Sequence, residues 1–423
     1  MISTPQDPSA KRRICLILEG TYPYVSGGVS TWVHQMIEAM PEIEFSIHYI
    51  GDQRKDDESY KYELPGNVVS ITTSYLFDPL SPEQLKPGRG SRRQKAAFLQ
   101  IIRSFVVSTD IRDRFDALCQ AAVILRDQPG MFTYTDLTKS ELSWELLTES
   151  YEAHAGTAPF LRYHATIRDL ATTFWKLLHT AGSLPAAHAY HCVCTGYAGL
   201  LGSLASELHG VPFLLSEHGV YLKERIEDIR KSNWLAASAG LITPFRAELG
   251  TFKSLWIDFF NVLCQIAYNK AAGITALYQG NARVQIEFGA PADKVVIIPN
   301  GIDTTRFTEI ARAKLQPNLP PNHRVTVGFL GRVVPIKDVK TLIRAARLVL
   351  QSHPETRFLL AGPTDEDPDY SEECLALCDQ LGIAQSISIS SILIFIFGIP
   401  AQHRGSFRRL SNGLAGLHGC WKS

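Results

Sequence analysis

Residues 13–40 read RICLILEGTYPYVSGGVSTWVHQMIEAM, and this stretch decides the fold. The apolar run at 13–18 predicts a buried strand of a parallel sheet, because such strands are covered on both faces. Gly27 and Gly28 follow, and then apolar side chains recur at helical spacing until Pro41 ends the helix. A strand, a glycine-containing turn and a helix form a βα unit, so the sequence predicts an α/β protein.

The same alternation continues along the chain with one exception. The region from about 81 to 182 has helical rather than strand patterning, and we interpret it as a helical insertion. After Pro317–Pro321, which marks a linker, a second βα series begins at Val325. Further strands are predicted at 45–50, 68–72, 189–194, 212–216, 273–277, 295–298, 325–330 and 357–361.

These patterns divide the chain into four parts. We predict an N-terminal Rossmann-like domain over residues 1–298, a hinge and linker over 299–323, and a partial second Rossmann-like domain over 324–386. Residues 387–423 form an anomalous tail. Its first part, SISISSILIFIF at 386–397, is a low-complexity, β-prone run.

Composition and charge exclude several classes of protein. The 423 residues include 42 Lys+Arg and 42 Asp+Glu, with 45% hydrophobic residues, which is ordinary for a globular protein and excludes collagen-like and wholly disordered chains. Zero net charge argues against a nucleic-acid-binding protein. No signal peptide and no transmembrane run is recognisable, so we expect a cytoplasmic protein. The eight cysteines lack the spacing of a metal site and are interpreted as reduced core thiols.

Two strand ends in the first domain carry candidate site residues. Gly27 and Gly28 let a ligand approach the free N–H groups at a helix N-terminus, although a plain tight turn explains them equally well. Glu217 and His218 follow a predicted strand, at the sheet edge where open α/β folds bind ligands. His218 there would position or deprotonate a substrate hydroxyl; the alternative is a structural histidine.

Cations mark the corresponding turn of the second domain. Arg332 and Lys337 lie between a predicted strand and helix, which suits a diphosphate, and a solvated basic turn is the alternative. Residues 365–367 (DED) resemble the metal-binding motif of some sugar transferases, but their proline-rich acidic surroundings favour a solvated turn.

Taken together, these motifs resemble the retaining glycosyltransferases of family 4, which have the GT-B fold of two Rossmann-like domains. The resemblance rests on Gly27-Gly28, Glu217-His218-Gly219, Pro299–Asp303, and Gly331-Arg332 with Lys337, in that order, and covers about residues 13 to 385. TYPYVSGGVSTWVH, SEHGVYLKER and the helical insertion resemble more closely the transferases of Pel exopolysaccharide synthesis.

The resemblance implies a role for each matching residue. Gly27 and Gly28 would line the cleft near the donor phosphates and acceptor, and Glu217 would also bind the donor or substrate. His218 would contact the donor sugar near the reacting carbon. Asn300, Gly301 and Asp303 would lie at the hinge. Arg332 and Lys337 would neutralise the departing UDP diphosphate, so that no metal ion and no cofactor is needed.

The resemblance also implies the activity and its partners. The donor would be a UDP-sugar such as UDP-glucose or a UDP-N-acetylhexosamine, and the acceptor a growing glycan. Membrane-bound polysaccharide-synthesis proteins would be partners and would hold the enzyme at the inner membrane. Retention by a front-side mechanism needs no protein nucleophile.

The end of the sequence departs from the family pattern. The family's E-x7-E segment should follow Gln385, yet from Gln380 onward there is no Asp or Glu. We therefore expect that the reading frame is lost near Ile387; the alternative is a divergent native tail. The second candidate function is accordingly a catalytically inactive fragment that acts as a binding module.

Overall fold

The structure is a computed structural model that describes residues 11–56, 58–155, 158–232, 248–301, 308 and 325–390. The chain divides into two compact units, residues 1–301 and 302–423, which are described separately. The predicted linker from 302 onward, apart from residue 308, and the tail beyond residue 390 lie outside the described residues, as does Asp303.

The first unit is built on a seven-stranded sheet in which every pair of neighbouring strands is parallel, in the order β3-β2-β1-β4-β5-β6-β7. The carboxyl ends of all seven strands therefore meet at one edge, where the predicted site residues of this unit lie. The strands are β1 (Arg13–Glu19), β2 (Glu44–Gly51), β3 (Val68–Tyr75), β4 (Ala189–Cys192), β5 (Phe213–Glu217), β6 (Gly273–Ala276) and β7 (Val295–Ile297).

Strand β1 is central and buried on both faces, which explains its uninterrupted apolar sequence. Its alternate side chains enter different cores. Leu16 and Leu18 pack with Val33 and Ile37 of helix α1 (Gly28–Glu38), whereas Cys15 and Ile17 point into the core on the opposite face.

The predicted helical segment contains five helices, and they share the larger core with the sheet. Trp175 is fully buried and packs near Phe132 and Phe98, and the last two rings stack at 4.3 Å between centroids. The segment is therefore part of the first unit's main core rather than a separate appendage. Its helices are α2 (Arg92–Val107), α3 (Ile111–Asp127), α4 (Tyr134–Lys139), α5 (Glu141–His154) and α6 (Phe160–Ala181).

The remaining described helices of the first unit connect its later strands. Almost all of α7 is buried, because it lies between the sheet and the helical segment. These helices are α7 (Tyr197–His209), α8 (Tyr221–Lys231), α9 (Glu248–Lys270) and α10 (Gln279–Glu287), and α8 and α9 both lie between β5 and β6. None of the helices that the structure describes is long and apolar enough to cross a membrane.

The second unit contains a three-stranded parallel sheet in the order β10-β9-β8. Its elements are β8 (Thr326–Leu330), α11 (Val339–Ser352), β9 (Arg357–Ala361), α12 (Pro368–Gln380) and β10 (Ile387–Ser390). Val339, Ile343 and Ala346 of α11 are fully buried against this sheet. Strand β10 extends the sheet four residues past the boundary predicted at 386.

These elements confirm the predicted fold class, an α/β protein with two parallel sheets and a helical insertion in the first. The strand ends differ from the sequence predictions by a few residues. Strand β4, for example, ends at Cys192 rather than Cys194, because the chain turns there toward α7.

Gly202 of α7 provides a test of this packing. A Cβ at Gly202 would lie 2.6 Å from the buried Phe213 ring and 2.7 Å from the Cys192 sulfur. We expect Gly202→Ala to lower the free energy of unfolding by about 1–3 kcal/mol through overpacking, despite the better helix propensity of alanine. Urea unfolding measures this change.

The matched control is Gly250→Ala in α9, where an added Cβ meets nothing within 4 Å. Only the higher helix propensity of alanine then affects stability, so the free energy of unfolding should be unchanged or should rise by up to about 1 kcal/mol. Equal stabilities for the two variants would contradict the close packing of α7 against β4 and β5.

Candidate functional site

The candidate site of the first unit lies at the carboxyl edge of the seven-stranded sheet. Two strands there end in a glutamate: β1 in Glu19 and β5 in Glu217. Glu217 is buried and Glu19 is half-buried, and loss of hydration raises the pKa of each carboxyl above its ordinary value. Their hydrogen bonds to the segments that follow the strands fix the positions of the turns at this edge.

Glu217 points into the protein and is only 1% exposed. One carboxylate oxygen accepts hydrogen bonds from the Tyr268 hydroxyl at 2.6 Å and from Gln285 Nε2 at 3.0 Å. The other accepts from the Tyr221 N–H at 3.2 Å and the Thr195 hydroxyl at 3.4 Å. With its carboxylate oxygens occupied in this way, Glu217 positions the turn that follows β5 rather than facing a ligand.

Glu19 occupies the equivalent place at the end of β1, and sequence reasoning missed its role. Its Oε2 accepts from the N–H groups of Tyr197 at 2.8 Å and Ala198 at 3.3 Å, at the N-terminus of α7. Its Oε1 accepts from the Tyr221 hydroxyl at 2.6 Å. A negative group at a helix N-terminus stabilises the helix. The signal in the sequence was the same as at Glu217, a glutamate that ends an apolar strand.

Tyr221 joins the two carboxylates. Its backbone N–H donates to Glu217 and its hydroxyl donates to Glu19. As the first residue of α8, it fixes the start of that helix at both strand ends. The turn that contains His218 and Gly219 is thus held at its two ends, by β5 and by α8.

The His218 side chain packs against α1. Its ring lies edge-on to Trp32, with 4.7 Å between centroids, and its carbonyl accepts from Asn281 Nδ2 at 3.1 Å. Burial lowers the pKa of His218, so the ring is neutral near pH 7. Its Nε2 is buried and has no hydrogen-bond partner among the described residues, which leaves a polar atom that a ligand can satisfy.

Gly27 and Gly28 stand at the N-terminus of the same helix α1. No side chain caps this helix and its first turn contains no acidic residue, so its positive end is unneutralised. The Gly27 N–H donates weakly to the Tyr62 hydroxyl at 3.4 Å. A Cβ added at either glycine would meet nothing within 4 Å, so the protein's own packing does not require glycine there.

A second histidine lies behind His218. His191 at the end of β4 is 9% exposed, and its Nε2 shares a 2.9 Å hydrogen bond with the Ser216 hydroxyl. Burial and the neighbouring His218 lower its pKa to about 4, so it remains neutral in the folded protein. Trp32 contacts both imidazole rings.

Asn300 and Gly301 follow β7 and are exposed at the end of the first unit. Their proposed place at a hinge stays a prediction, and Asp303 lies outside the described residues. Within the part of the chain that the structure describes, no group of three or more His, Cys, Asp and Glu side chains is arranged to hold a metal ion.

The cationic turn of the second unit joins β8 to α11. The Arg332 guanidinium pairs with the Glu366 carboxylate, and Lys337 is exposed at the end of a 3₁₀ turn, Pro335–Lys337. Asp338 follows with φ 49°, a left-handed backbone that is uncommon for a residue other than glycine. Asp367 accepts from the Tyr370 N–H at 3.0 Å and caps α12, so two acidic residues of the 365–367 turn have structural roles.

Comparison with known proteins identifies the family. A model of the domain of unknown function DUF3492 matches residues 12–293, about two thirds of the chain. The chain therefore belongs to the DUF3492 family, whose domain covers strands β1 to β6 of the seven-stranded sheet, the helical segment and the Glu19–Glu217 site.

Curated relatives are more distant. Alpha-maltose-1-phosphate synthase of Mycolicibacterium smegmatis is 27% identical over 250 residues, which are 56% of this chain and 55% of that protein. D-inositol 3-phosphate glycosyltransferase of Acidothermus cellulolyticus is 25% identical over 197 residues, 45% of this chain and 39% of that protein. The chain thus spans about half the length of these relatives or less.

Among solved structures, Anabaena HepE in complex with UDP and glucose is similar to this chain with a TM-score of 0.45 and 12% identity. The match covers 90% of this chain and 69% of HepE. A TM-score below 0.5 is too low to support a conclusion about this protein.

Tyr268→Phe tests the hydrogen bonds around Glu217. Removing the hydroxyl deletes a donor to a buried carboxylate, and we expect the free energy of unfolding to fall by about 1.5–3 kcal/mol. In the control Tyr190→Phe, the lost hydroxyl donates to the neutral Pro185 carbonyl at 2.9 Å, and the loss should be about 0.5–1.5 kcal/mol. Chemical unfolding compares the two; a smaller loss for Tyr268→Phe than for Tyr190→Phe would count against a strong hydrogen bond from Tyr268 to the buried Glu217.

The buried His191 should make the free energy of unfolding fall in mild acid. Its folded pKa, about 4, lies below the ordinary 6.5, so only the unfolded state takes up a proton between these values. Stability from this group is full above about pH 6.5 and is lost as the pH falls toward 4. Between pH 7 and 5, the wild-type chain should lose about 2 kcal/mol more unfolding free energy than His191→Asn. Parallel pH profiles of the two proteins would refute this assignment.

Proposed function

We propose that this member of the DUF3492 family is a retaining glycosyltransferase that uses a UDP-sugar as donor and extends an exopolysaccharide, as PelF does in Pel synthesis. One observation carries the proposal: Trp32 packs His218 onto the helix whose open N-terminus is Gly27-Gly28. A neutral hydrogen-bonding side chain and an anion-attracting helix end thus lie on one sheet edge.

The first unit would hold the sugar and the acceptor. Neutral His218, with its unpartnered Nε2, suits a hydrogen bond to a sugar hydroxyl. The absence of a Cβ at Gly27 and Gly28 lets substrate oxygen atoms approach the N–H groups of α1 directly. Glu217 would act through the turn it positions, and Asn300 and Gly301 would serve as the hinge.

The second unit would hold the nucleotide diphosphate. Arg332 and Lys337 are cations beside the start of α11, where a departing diphosphate would be stabilised without a metal ion. Arg332 pairs with Glu366 and would exchange this carboxylate for phosphate oxygens when the donor binds. On this proposal the enzyme has no cofactor beyond its donor substrate.

Two further lines support the proposal. Several curated relatives are named as glycosyltransferases, although the chain spans only part of their length. The exopolysaccharide role rests on the resemblance of TYPYVSGGVSTWVH, SEHGVYLKER and the helical segment to PelF. That role implies a cytoplasmic enzyme, held at the inner membrane by the membrane-bound partners of the polysaccharide-synthesis complex.

A binding module without catalytic activity is the second candidate. The observation that favours it is the absence of acidic residues from Gln380 onward, where the family's E-x7-E segment should lie. Release of UDP from UDP-glucose and UDP-N-acetylhexosamines distinguishes the two, together with the thermal shift that UDP produces. Turnover of any donor supports the transferase. The absence of both turnover and a UDP-induced thermal shift supports the inactive module.

The phosphate role is tested by Arg332→Ala and Lys337→Ala. Each removes one cation from the diphosphate, and we expect UDP affinity to fall roughly tenfold in calorimetric titration. Arg344→Ala, an exposed arginine on the same helix α11, is the control and should leave UDP affinity unchanged. Wild-type affinity in both test variants would remove these residues from the phosphate site.

The sugar role is tested by His218→Ala. Loss of a hydrogen bond made to the reacting sugar should lower turnover roughly a hundredfold while UDP affinity stays within about twofold. His353→Ala, an exposed histidine of the second unit, should change neither. A fall in UDP affinity with normal turnover would contradict the proposed position of His218.

A further inference from the structure

A cavity of about 480 Å³ opens in the first unit beside the end of β3, and the proposed donor chemistry does not use it. Its walls come from the chain after β3, from α6 of the helical segment, and from α7, α8 and α9. Tyr197 and Arg225 line it, and Tyr197 also donates its N–H to Glu19. The cavity therefore adjoins the same sheet edge as the candidate site.

Aromatic rings form the apolar part of the walls. Trp256 and Phe260 are almost fully buried, and their rings stack with 6.2 Å between centroids and 29° between planes. Phe77 lines the same cavity but is 51% exposed, which leaves an aromatic face available at the mouth. Such faces pack against the C–H faces of sugar rings because both are apolar and flat.

The polar part of the walls includes three aspartates, and each has a cation beside it. Asp228 pairs with Arg225 at 2.8 Å, and Asp169 pairs with Arg168 at 3.6 Å. Asp78 is attracted by Lys176, whose ammonium donates to the Asp78 carbonyl.

This pairing selects the class of ligand. Among the described lining residues, three aspartates stand against a single cation, Arg225, which is paired with Asp228, so the lining carries an excess of negative charge that repels a phosphate. Paired carboxylates keep lone pairs that accept hydrogen bonds from hydroxyl groups. Arg225 adds a donor, since its Nε is buried and without an acceptor among the described residues.

We propose that this cavity binds an uncharged, hydroxyl-rich saccharide, as a subsite for the acceptor glycan. The aromatic walls take the apolar ring faces, and the paired aspartates with Arg225 take the hydroxyl groups. The inference rests on the proposed transferase function and specifies its acceptor as a chain of uncharged sugars rather than a phosphorylated one.

Saturation-transfer NMR and calorimetry on the full chain test this proposal. The probes are the neutral tetrasaccharides maltotetraose, cellotetraose and chitotetraose, with inositol 3-phosphate as the charged comparison. We expect at least one neutral tetrasaccharide to bind, and to bind more tightly than inositol 3-phosphate. Phe77→Ala and Asp169→Asn should each weaken that binding roughly five- to tenfold.

Matched controls come from elsewhere in the same helical segment. Trp144→Ala removes another exposed aromatic ring, and Asp127→Asn removes an exposed aspartate paired with the adjacent arginine, as Asp169 is. Both should bind the tetrasaccharide normally. The proposal is overturned if no neutral tetrasaccharide binds at 10 mM, if inositol 3-phosphate binds more tightly, or if test and control variants bind alike.

Failure of the acceptor subsite can be distinguished from failure of the proposed transferase function, because different measurements report on each. UDP affinity and UDP release from the donor report on the transferase itself. Normal donor chemistry without saccharide binding would refute the acceptor subsite alone. Saccharide binding without any UDP affinity would refute the donor proposal and leave a saccharide-binding module.

Discussion

Two carboxylates, the buried Glu217 and the half-buried Glu19, hold together the sheet edge that carries the candidate site of the first unit. Each ends a strand, and Tyr221 joins them through its hydroxyl and its backbone N–H. A buried carboxylate is tolerated only when its oxygens are hydrogen-bonded, so the starts of α7 and α8 must lie where their donors reach Glu19 and Glu217. The turn that contains His218 is fixed as a consequence, and the cavity beside Tyr197 and Arg225 is bounded by the same two helices.

The helical segment from α2 to α6 gives this edge its support. It shares the main core with the sheet, so α7 is buried between the two and cannot shift without disturbing both. The segment also supplies the α6 wall of the cavity. The segment that is inserted in the sequence is thus part of the core in the structure. The proposed acceptor subsite is formed by one wall from this helical segment together with the sheet edge.

Much of the fold was predictable because its signals are local. Three local signals each determine an element without reference to distant residues: the apolar run of β1, the glycines at the start of α1 and the helical period of α11. The site was less predictable, since its geometry depends on contacts between distant positions. Glu217 was expected to face a substrate, whereas Tyr268 and Gln285, 51 and 68 residues away, turn it inward. Pattern alone also gave no sign that Trp32 on α1 contacts His218.

The function that we propose for this edge is sugar transfer with retention from a UDP-linked donor. The most direct measurement is proton NMR of the product formed from a UDP-sugar and a neutral tetrasaccharide, with release of UDP followed in parallel. We expect one UDP per transferred sugar and the same anomeric configuration at the transferred carbon as in the donor. An inverted configuration, or no transfer from any UDP-sugar, would contradict it.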